Sequence, residues 1–282
     1  MNRLSTLKIY IFVITLIILT FSKLCQAKQS SGKSKNTLSK SQIVLYHVHV
    51  TGSFNVDNAV ALSKEMGIKF GLVDNFGRHY WNYSDEHLKK YLKRMKGKGA
   101  YVGIQAEGRD WMRVFSKKLL SELDFILADG MTFPNTNGTY SRLWINQEVN
   151  ISDVDFFMDR YTDYLADITS EPIDIIANVT YLPEKINADY DKLWTDRRVM
   201  KLINACVKND VAIEINARYR IPSPKILKMA KKAGAKFAFG ANSHSRNQAK
   251  QMDYCLEMIK ELGLTEKDMF KPSNRKDKFQ KK

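Results

Sequence analysis

The sequence predicts an α/β chain closed as a seven-stranded (β/α) TIM-like barrel, and three observations predict it. Short apolar runs alternate with helix-period segments seven times between residues 43 and 262, and strand-then-helix order implies parallel pairing through right-handed crossovers. The strand runs are apolar nearly throughout, as expected when both faces of a sheet are covered. Seven units in roughly 220–250 residues is the size of a barrel. The alternative, an open doubly wound sheet of the nucleotide-binding kind, lacks a Gly-rich phosphate loop after its first strand.

The elements follow in order. IVLYHVH (43–49) reads as the first strand and VDNAVALSKEMG (56–67) as a helix ending at Gly67. IKFGLVD (68–74) is followed by a helix over 84–99, with Ser84 as N-cap and glycine at its end. YVGIQAE (101–107) precedes a short helix near 113–122; DFILAD (124–129) precedes a long loop (130–150) and a helix over 152–169. IDIIAN (173–178) leads through Pro183 to a helix over 195–209, and VAIEIN (211–216) to a helix from Ser223 to Ala233. AKFAFGAN (235–242) and a helix over 247–262 complete the series.

The 282 residues are 44% hydrophobic and 11% aromatic, enough for one sizeable core and incompatible with a wholly disordered chain. Lys and Arg number 45 against 30 Asp and Glu, a net charge of +15. The excess sits at the ends: +3 in residues 1–27, +4 in the Ser/Lys-rich spacer 28–41, +4 in the tail 265–282, and only +4 in the body 42–264. A folded part without a concentrated basic patch excludes nucleic acid as the expected partner. The basic ends predict at most weak contact with an anionic membrane surface, and a small molecule is the expected substrate.

Residues 1–27 follow the plan of a secretory signal: Arg3 and Lys8, the apolar run IYIFVITLIIL (9–19), and small residues before a cut after Ala27. The apolar run 9–21 is shorter than the roughly 20 residues a bilayer crossing needs. The mature chain is expected to begin near Lys28 and to be periplasmic or secreted. Lipid attachment at Cys25 is a weaker option, because Lys23-Leu24 suit that processing poorly. Of the remaining cysteines, Cys206 and Cys255 lie in amphipathic runs and read as buried thiols, although an oxidising compartment permits a bridge.

Active sites of such barrels form at the C-terminal ends of the strands. This chain places there His47 and His49, Asp74 and Asn75, Glu107, Asp129, Asn178, Glu214 and Asn216, and Asn242 and His244. Caps and turns favour Asp and Asn in any protein, so the series carries more weight than any member. Strand positions i and i+2 share a face, so His47 and His49 can reach one divalent ion (Zn, Mn or Fe), with a carboxylate such as Glu107 as complement. A chance His-x-His is common, but three of the five histidines fall at strand ends. His79 either lines the site or sits in a surface aromatic cluster, and His87 reads as solvated. Arg109, Arg142, Arg218 and Arg220 lie beyond strand ends, where a guanidinium fork can hold phosphate or carboxylate; Arg109, two residues after Glu107, is best placed. Trp111, Trp144 and Tyr219 are either pocket walls or core.

Together LYHVHVTGSFN, GLVDN, GIQAEGRDWM, FILADGMTF, DIIANVTYLP, AIEIN and FAFGANSHS, in that order over about residues 43–246, resemble the PHP family of metal-dependent phosphoesterases (polymerase and histidinol phosphatase). The resemblance implies a distorted seven-stranded barrel holding two or three ions. His47, His49, Glu107 and His244 match ligand positions. Asn55, Asn75, Asn178 and Asn242 stand where the family has His, His, His and Asp, and Asp129 or Met131 where it has another His. The resemblance therefore implies one ion and a distinct branch of the family, or an abolished site. With an ion, the activity is hydrolysis by a metal-bound water whose pKa falls from about 15.7 towards about 7, with Asp129 or Asp74 taking its proton and Glu214 as a weaker base. Two readings follow: an exported metal-dependent hydrolase, most readily a phosphoesterase, or a non-catalytic barrel in which Asn75, Asn178, Asn216, Arg218, Asn242 and aromatic residues hold a small polar ligand such as a sugar.

Overall fold

The computed structural model describes residues 37–273. Residues 1–36 and those beyond Ser273 lie outside them, and with them the expectations of export, cleavage, lipid attachment and tail-driven surface contact. Ten strands are formed: β1 (Val44–His49), β2 (Lys69–Val73), β3 (Asn75–Phe76), β4 (Tyr101–Ala106), β5 (Phe125–Asp129), β6 (Thr132–Pro134), β7 (Tyr140–Arg142), β8 (Ile175–Ala177), β9 (Ala212–Asn216) and β10 (Phe237–Gly240). Seven of them pair in parallel in the ring β1–β2–β4–β5–β8–β9–β10, closed by β1 on β10 and β2 on β4. β3 prolongs the line of β2 beyond Asp74 and pairs with β4. The fold is a closed TIM-like (β/α) barrel. No helix among the described residues is long and apolar enough to cross a membrane.

Alternation along the strands divides the apolar residues into two layers. Leu45, Phe70, Leu72, Ile104, Ile126, Ile176, Ile213, Ile215, Phe237 and Phe239 belong to the large cluster shared with the helices. Tyr46, Val73, Phe125, Leu127, Ile175, Ala177, Ala212 and Ala238 form a separate cluster that fills the barrel. Tyr46 packs edge-on against Phe125 and Phe270, each with centroids 5.1 Å away. The β1–β2 register shifts between Leu45 and Val48. A bulge admits one extra residue, so Tyr46 and His47, neighbours in sequence, both face inward: the first into this apolar plug, the second into the polar layer above it. Plain alternation from His47 and His49 does not anticipate that.

The plug is tight. A Cβ on Gly103 would lie 2.4 Å from Phe125 Cζ, inside any tolerable contact, so Gly103→Ala is expected to overpack the barrel and lower stability by about 1–3 kcal/mol in urea unfolding. A wild-type midpoint for that variant would show the plug to be looser than these distances require.

Several elements depart from the sequence expectation; the short helix expected near 113–122 is a turn at Trp111–Arg113 followed by a helix over Lys117–Leu120. The helix expected over 84–99 ends at Met95, because Gly97 and Gly99 adopt positive φ (73° and 79°) and Lys96 leaves the helical region. The helix expected over 247–262 is broken into Arg246–Lys250 and Asp253–Leu262 where Gln251 leaves the helical region (φ −75°, ψ 87°). The long loop 130–150 contains the antiparallel β6–β7 hairpin, and short helical turns at Asn187–Asp189 and Tyr190–Leu193 precede the helix Asp196–Asn209. Cys206 and Cys255 are buried free thiols; burial pushes Cys206 up to about 12.

Candidate functional site

The C-terminal mouth of the barrel carries a buried polar lattice. His47 is fully buried; its Nδ1 lies 2.7 Å from Glu214 Oε1 on β9, and its Nε2 lies 2.9 Å from Gln105 Oε1 on β4 and 3.1 Å from His49 Nε2. Gln105 Nε2 donates to Glu107 Oε1 (2.9 Å) and to Asp129 Oδ2 (3.3 Å). Asn75 Nδ2 donates to Glu107 Oε1 (2.5 Å). Asn178 donates twice, through its backbone N–H to Glu214 Oε2 (2.7 Å) and through Nδ2 to Asp129 Oδ2 (2.9 Å). Asn216 Nδ2 donates to Asn178 Oδ1 (2.9 Å) and Glu214 Oε2 (3.1 Å). Three carboxylates are thus met by four carboxamides and one imidazole.

Local backbone makes this possible. Asn178 and Asn242 sit at strand ends with φ of 50° and 42°, a left-handed conformation that Asn tolerates better than most residues. At Asn178 this turns both the main-chain and the side-chain N–H inward. Glu214 fits because β10 presents Gly240 beside it, where a Cβ would lie 1.8 Å from Oε1.

Electrostatics follow from burial and partners. Burial opposes charge on His47, but the Glu214 carboxylate and its hydrogen bond, with Asp129 behind, outweigh it and raise the imidazole pKa. Burial, then the neighbouring His47 and His244, push His49 well below the ordinary value. Burial first and the Asp129 charge second raise Glu107 to about 8, and burial also raises Asp129. With its carboxyl raised to about 8, Glu107 therefore keeps its proton at neutral pH beside Asp129. The His47 Nε2 thus faces both Gln105 Oε1 and the His49 Nε2, and the His49 Nδ1 is a buried atom with no hydrogen-bond partner among the described residues.

Not every residue expected at the site is there. Val73 faces into the barrel, so alternation turns Asp74 outward; its carboxylate accepts from the Asn75 N–H (2.8 Å) and faces Arg94 Nη2 at 3.9 Å. Burial raises the Asp74 pKa, but it takes no part in the lattice. Arg109 pairs with Glu171 (3.1 Å) beside Tyr164, and it lines a neighbouring cavity together with the exposed His79. Asn55 caps the helix Val56–Met66 by accepting from the Asn58 N–H. Trp111 is buried and donates to Glu171 (2.6 Å). His244 stacks on His49, with centroids 4.2 Å and planes 13° apart; burial, with His47 and Arg218, lowers it to about 4. Arg218 is exposed at the rim and donates to the Asn242 carbonyl (3.2 Å).

Sequence reading missed Gln105, the centre of the lattice. The signal was present: Gln105 and Glu107 stand at i and i+2 of one strand, the spacing used for His47 and His49. Above the lattice a cavity of about 380 Å³ is lined by His49, Gln105, Glu107 and Asp129 below, and by Tyr80, Trp81, Trp144 and Tyr219 around its rim.

The donor set does not fit a metal cluster. Among the described residues no three His, Cys, Asp or Glu side chains are placed together to hold an ion. The reason is visible: Glu107 and Asp129 are engaged by amide N–H groups, and the central place beside His47 is taken by the neutral Gln105.

The fold and mouth thus define a TIM-like barrel with a polar, amide-rich pocket. No protein-family model matches the chain, and no curated protein matches it. Among solved structures, the histidinol phosphate phosphatase of Lactococcus lactis subsp. lactis Il1403, solved with zinc, L-histidinol and phosphate, superposes with a TM-score of 0.52 at 12% identity, over 83% of this chain and 98% of that one. This likeness shows the fold. A chain of an archaeal ribonuclease P with mature tRNA (TM-score 0.40, 14% identity, 77% of this chain and 90% of that one) is more distant. So is the HpcH/HpaI aldolase of Desulfitobacterium hafniense DCB-2 (0.38, 13%, 80% and 94%); no argument rests on either.

Proposed function

We propose that this chain is an exported, PHP-like barrel of a divergent branch, whose mouth binds a small polar, hydroxyl-rich ligand such as a sugar without a transition-metal cluster. One observation carries the reading: Asn75, Gln105, Asn178 and Asn216 supply the N–H donors that the buried carboxylates need, so the site is satisfied without a cation. Amides and carboxylates offer donors and acceptors together, which matches hydroxyl groups, and ring-shaped apolar faces find aromatic walls in Tyr80, Trp81, Trp144 and Tyr219.

The test is a thermal-shift and calorimetric screen of the full mature chain in chelator, against neutral hexoses, hexosamines and uronic acids. At least one sugar is expected to raise the melting temperature, since a ligand at a hundredfold its Kd stabilises by about 2.7 kcal/mol. Asn178→Leu is expected to remove the shift. A panel without any binder, or binding that appears only when zinc is supplied, contradicts the proposal.

A specific observation also favours a second reading, the metal-dependent phosphoesterase. The His47 and His49 Nε2 atoms are 3.1 Å apart, near the roughly 3.3 Å between two nitrogen ligands of a tetrahedral zinc. Glu214 also sits behind His47 as carboxylates sit behind metal-bound imidazoles. In that reading His47, His49 and Glu107 hold one ion, and zinc-, manganese- or iron-dependent hydrolysis of p-nitrophenyl phosphate, lost in His47→Ala/His49→Ala, is the expected result.

A further inference from the structure

A second and larger cavity of about 880 Å³ adjoins the mouth, and the two share the walls Tyr80, Trp81, Glu107 and Thr132. Their chemistry differs. The inner end holds the carboxylate–amide lattice, while the outer end is lined by Arg109, Arg113, Arg142 and His79 against Asp110 and Glu148. Asp110 is bound by Arg78, Glu148 by Arg142 and Arg109 by Glu171. Arg113 is exposed and forms no ion pair among the described residues, which leaves its guanidinium available to a ligand.

Three large aromatic rings stand open along this path: Trp81 is 62% exposed, Tyr140 58% and Trp144 47%. Aromatic faces left in water along one cleft need a partner, and sugar rings lay apolar C–H faces on them. At the inner end His49 lines the cavity wall, and its ring nitrogens can donate or accept according to tautomer, which suits a hydroxyl group.

We propose that the two cavities form one cleft for an acidic oligosaccharide. A hydroxyl-rich sugar ring sits in the mouth, further units run over Trp81 and Tyr140, and the carboxylate of a uronic acid unit meets Arg113. The proposal rests on the polar-ligand reading of the mouth and adds the polymer class and the polarity of its seat. Nucleic acid fits less well. A phosphate chain needs a positive track along its whole length, whereas this cleft ends on Glu107 and Asp129, and the body of the chain carries only +4.

Tryptophan fluorescence and calorimetry on the mature chain would compare tetragalacturonate and a hyaluronan tetrasaccharide with neutral cellotetraose and with octathymidylate. One of the two acidic sugars is expected to bind at least about tenfold more tightly than cellotetraose, the value of one charge-assisted contact, and to weaken in high salt. Arg113→Ala should erase that preference, and Trp81→Ala should cost about tenfold for every sugar; both positions are exposed, so folding is not at issue. Equal affinity for acidic and neutral chains, no binding of either, or preference for octathymidylate overturns the proposal. If monosaccharides bind in the screen above while neither acidic chain does, the cleft fails and the mouth reading stands.

Discussion

Between pH 6.5 and 8 the unfolding free energy is expected to fall by about 2 kcal/mol, because Glu107 keeps its proton in the folded barrel to about pH 8 while its ordinary value is 4.5. In that window the folded state binds a proton that the unfolded chain has released, and stability falls wherever the native state holds more protons. His47, raised by Glu214 after burial is offset, adds in the same direction, as does Asp129 below its own raised value. His49 and His244, both lowered, act oppositely, but only below about pH 6.5 where the unfolded imidazoles charge. The decline is therefore cleanest on the alkaline side. Glu107→Gln keeps an acceptor for Asn75 and Gln105, so it should flatten the slope and raise stability at pH 8. Urea unfolding at several pH values reads both. A flat or rising wild-type curve over that range would mean that Glu107 is ionised and faces a cation or water.

The largest expected effect comes from one added charge. Gln105→Glu places a carboxylate where the amide now contacts His47 Nε2 at 2.9 Å and deletes the N–H shared by Glu107 and Asp129. Three buried carboxyl groups then converge without the amide N–H that Glu107 and Asp129 now share. Removing one partner of a buried charge network costs about 3–5 kcal/mol, so the variant should be strongly destabilised or unfolded in chelator. The same change completes a His47–His49–carboxylate set with nitrogens already 3.1 Å apart and should confer zinc-dependent folding, with the metal restoring stability by mass action. Destabilisation without rescue by zinc, manganese or iron would show that the imidazoles do not converge as described.

These predictions depend on which parts of the site were legible in the sequence. Strand–helix order, and so the closed barrel, was readable because parallel strands covered on both faces leave continuous apolar runs. His47 and His49 were readable as an i, i+2 pair. Asp74 was misplaced although the alternation Val73–Asp74–Asn75 already sends it outward, because its chemistry outweighed its parity. The bulge between Leu45 and Val48 has no short-range signature, and it decides that Tyr46 and His47 share a face. The β6–β7 hairpin is short and half-exposed, without the hydrophobic alternation that marks a strand. Most consequential, Asn75 and Asn178 read as lost metal ligands, whereas the structure gives them a positive role as donors to Glu107 and Asp129. Only the three-dimensional partners distinguish those two meanings.

The most direct measurement is the metal content of the wild-type chain over residues 28–282 beside Gln105→Glu and His47→Ala/His49→Ala, after each is exposed to zinc, manganese and iron and desalted. A wild type that retains far less than one equivalent, with Gln105→Glu retaining about one, is the result expected of an amide-saturated mouth. About one equivalent in the wild type, lost in the double histidine variant, would contradict it and return the barrel to the metallohydrolases.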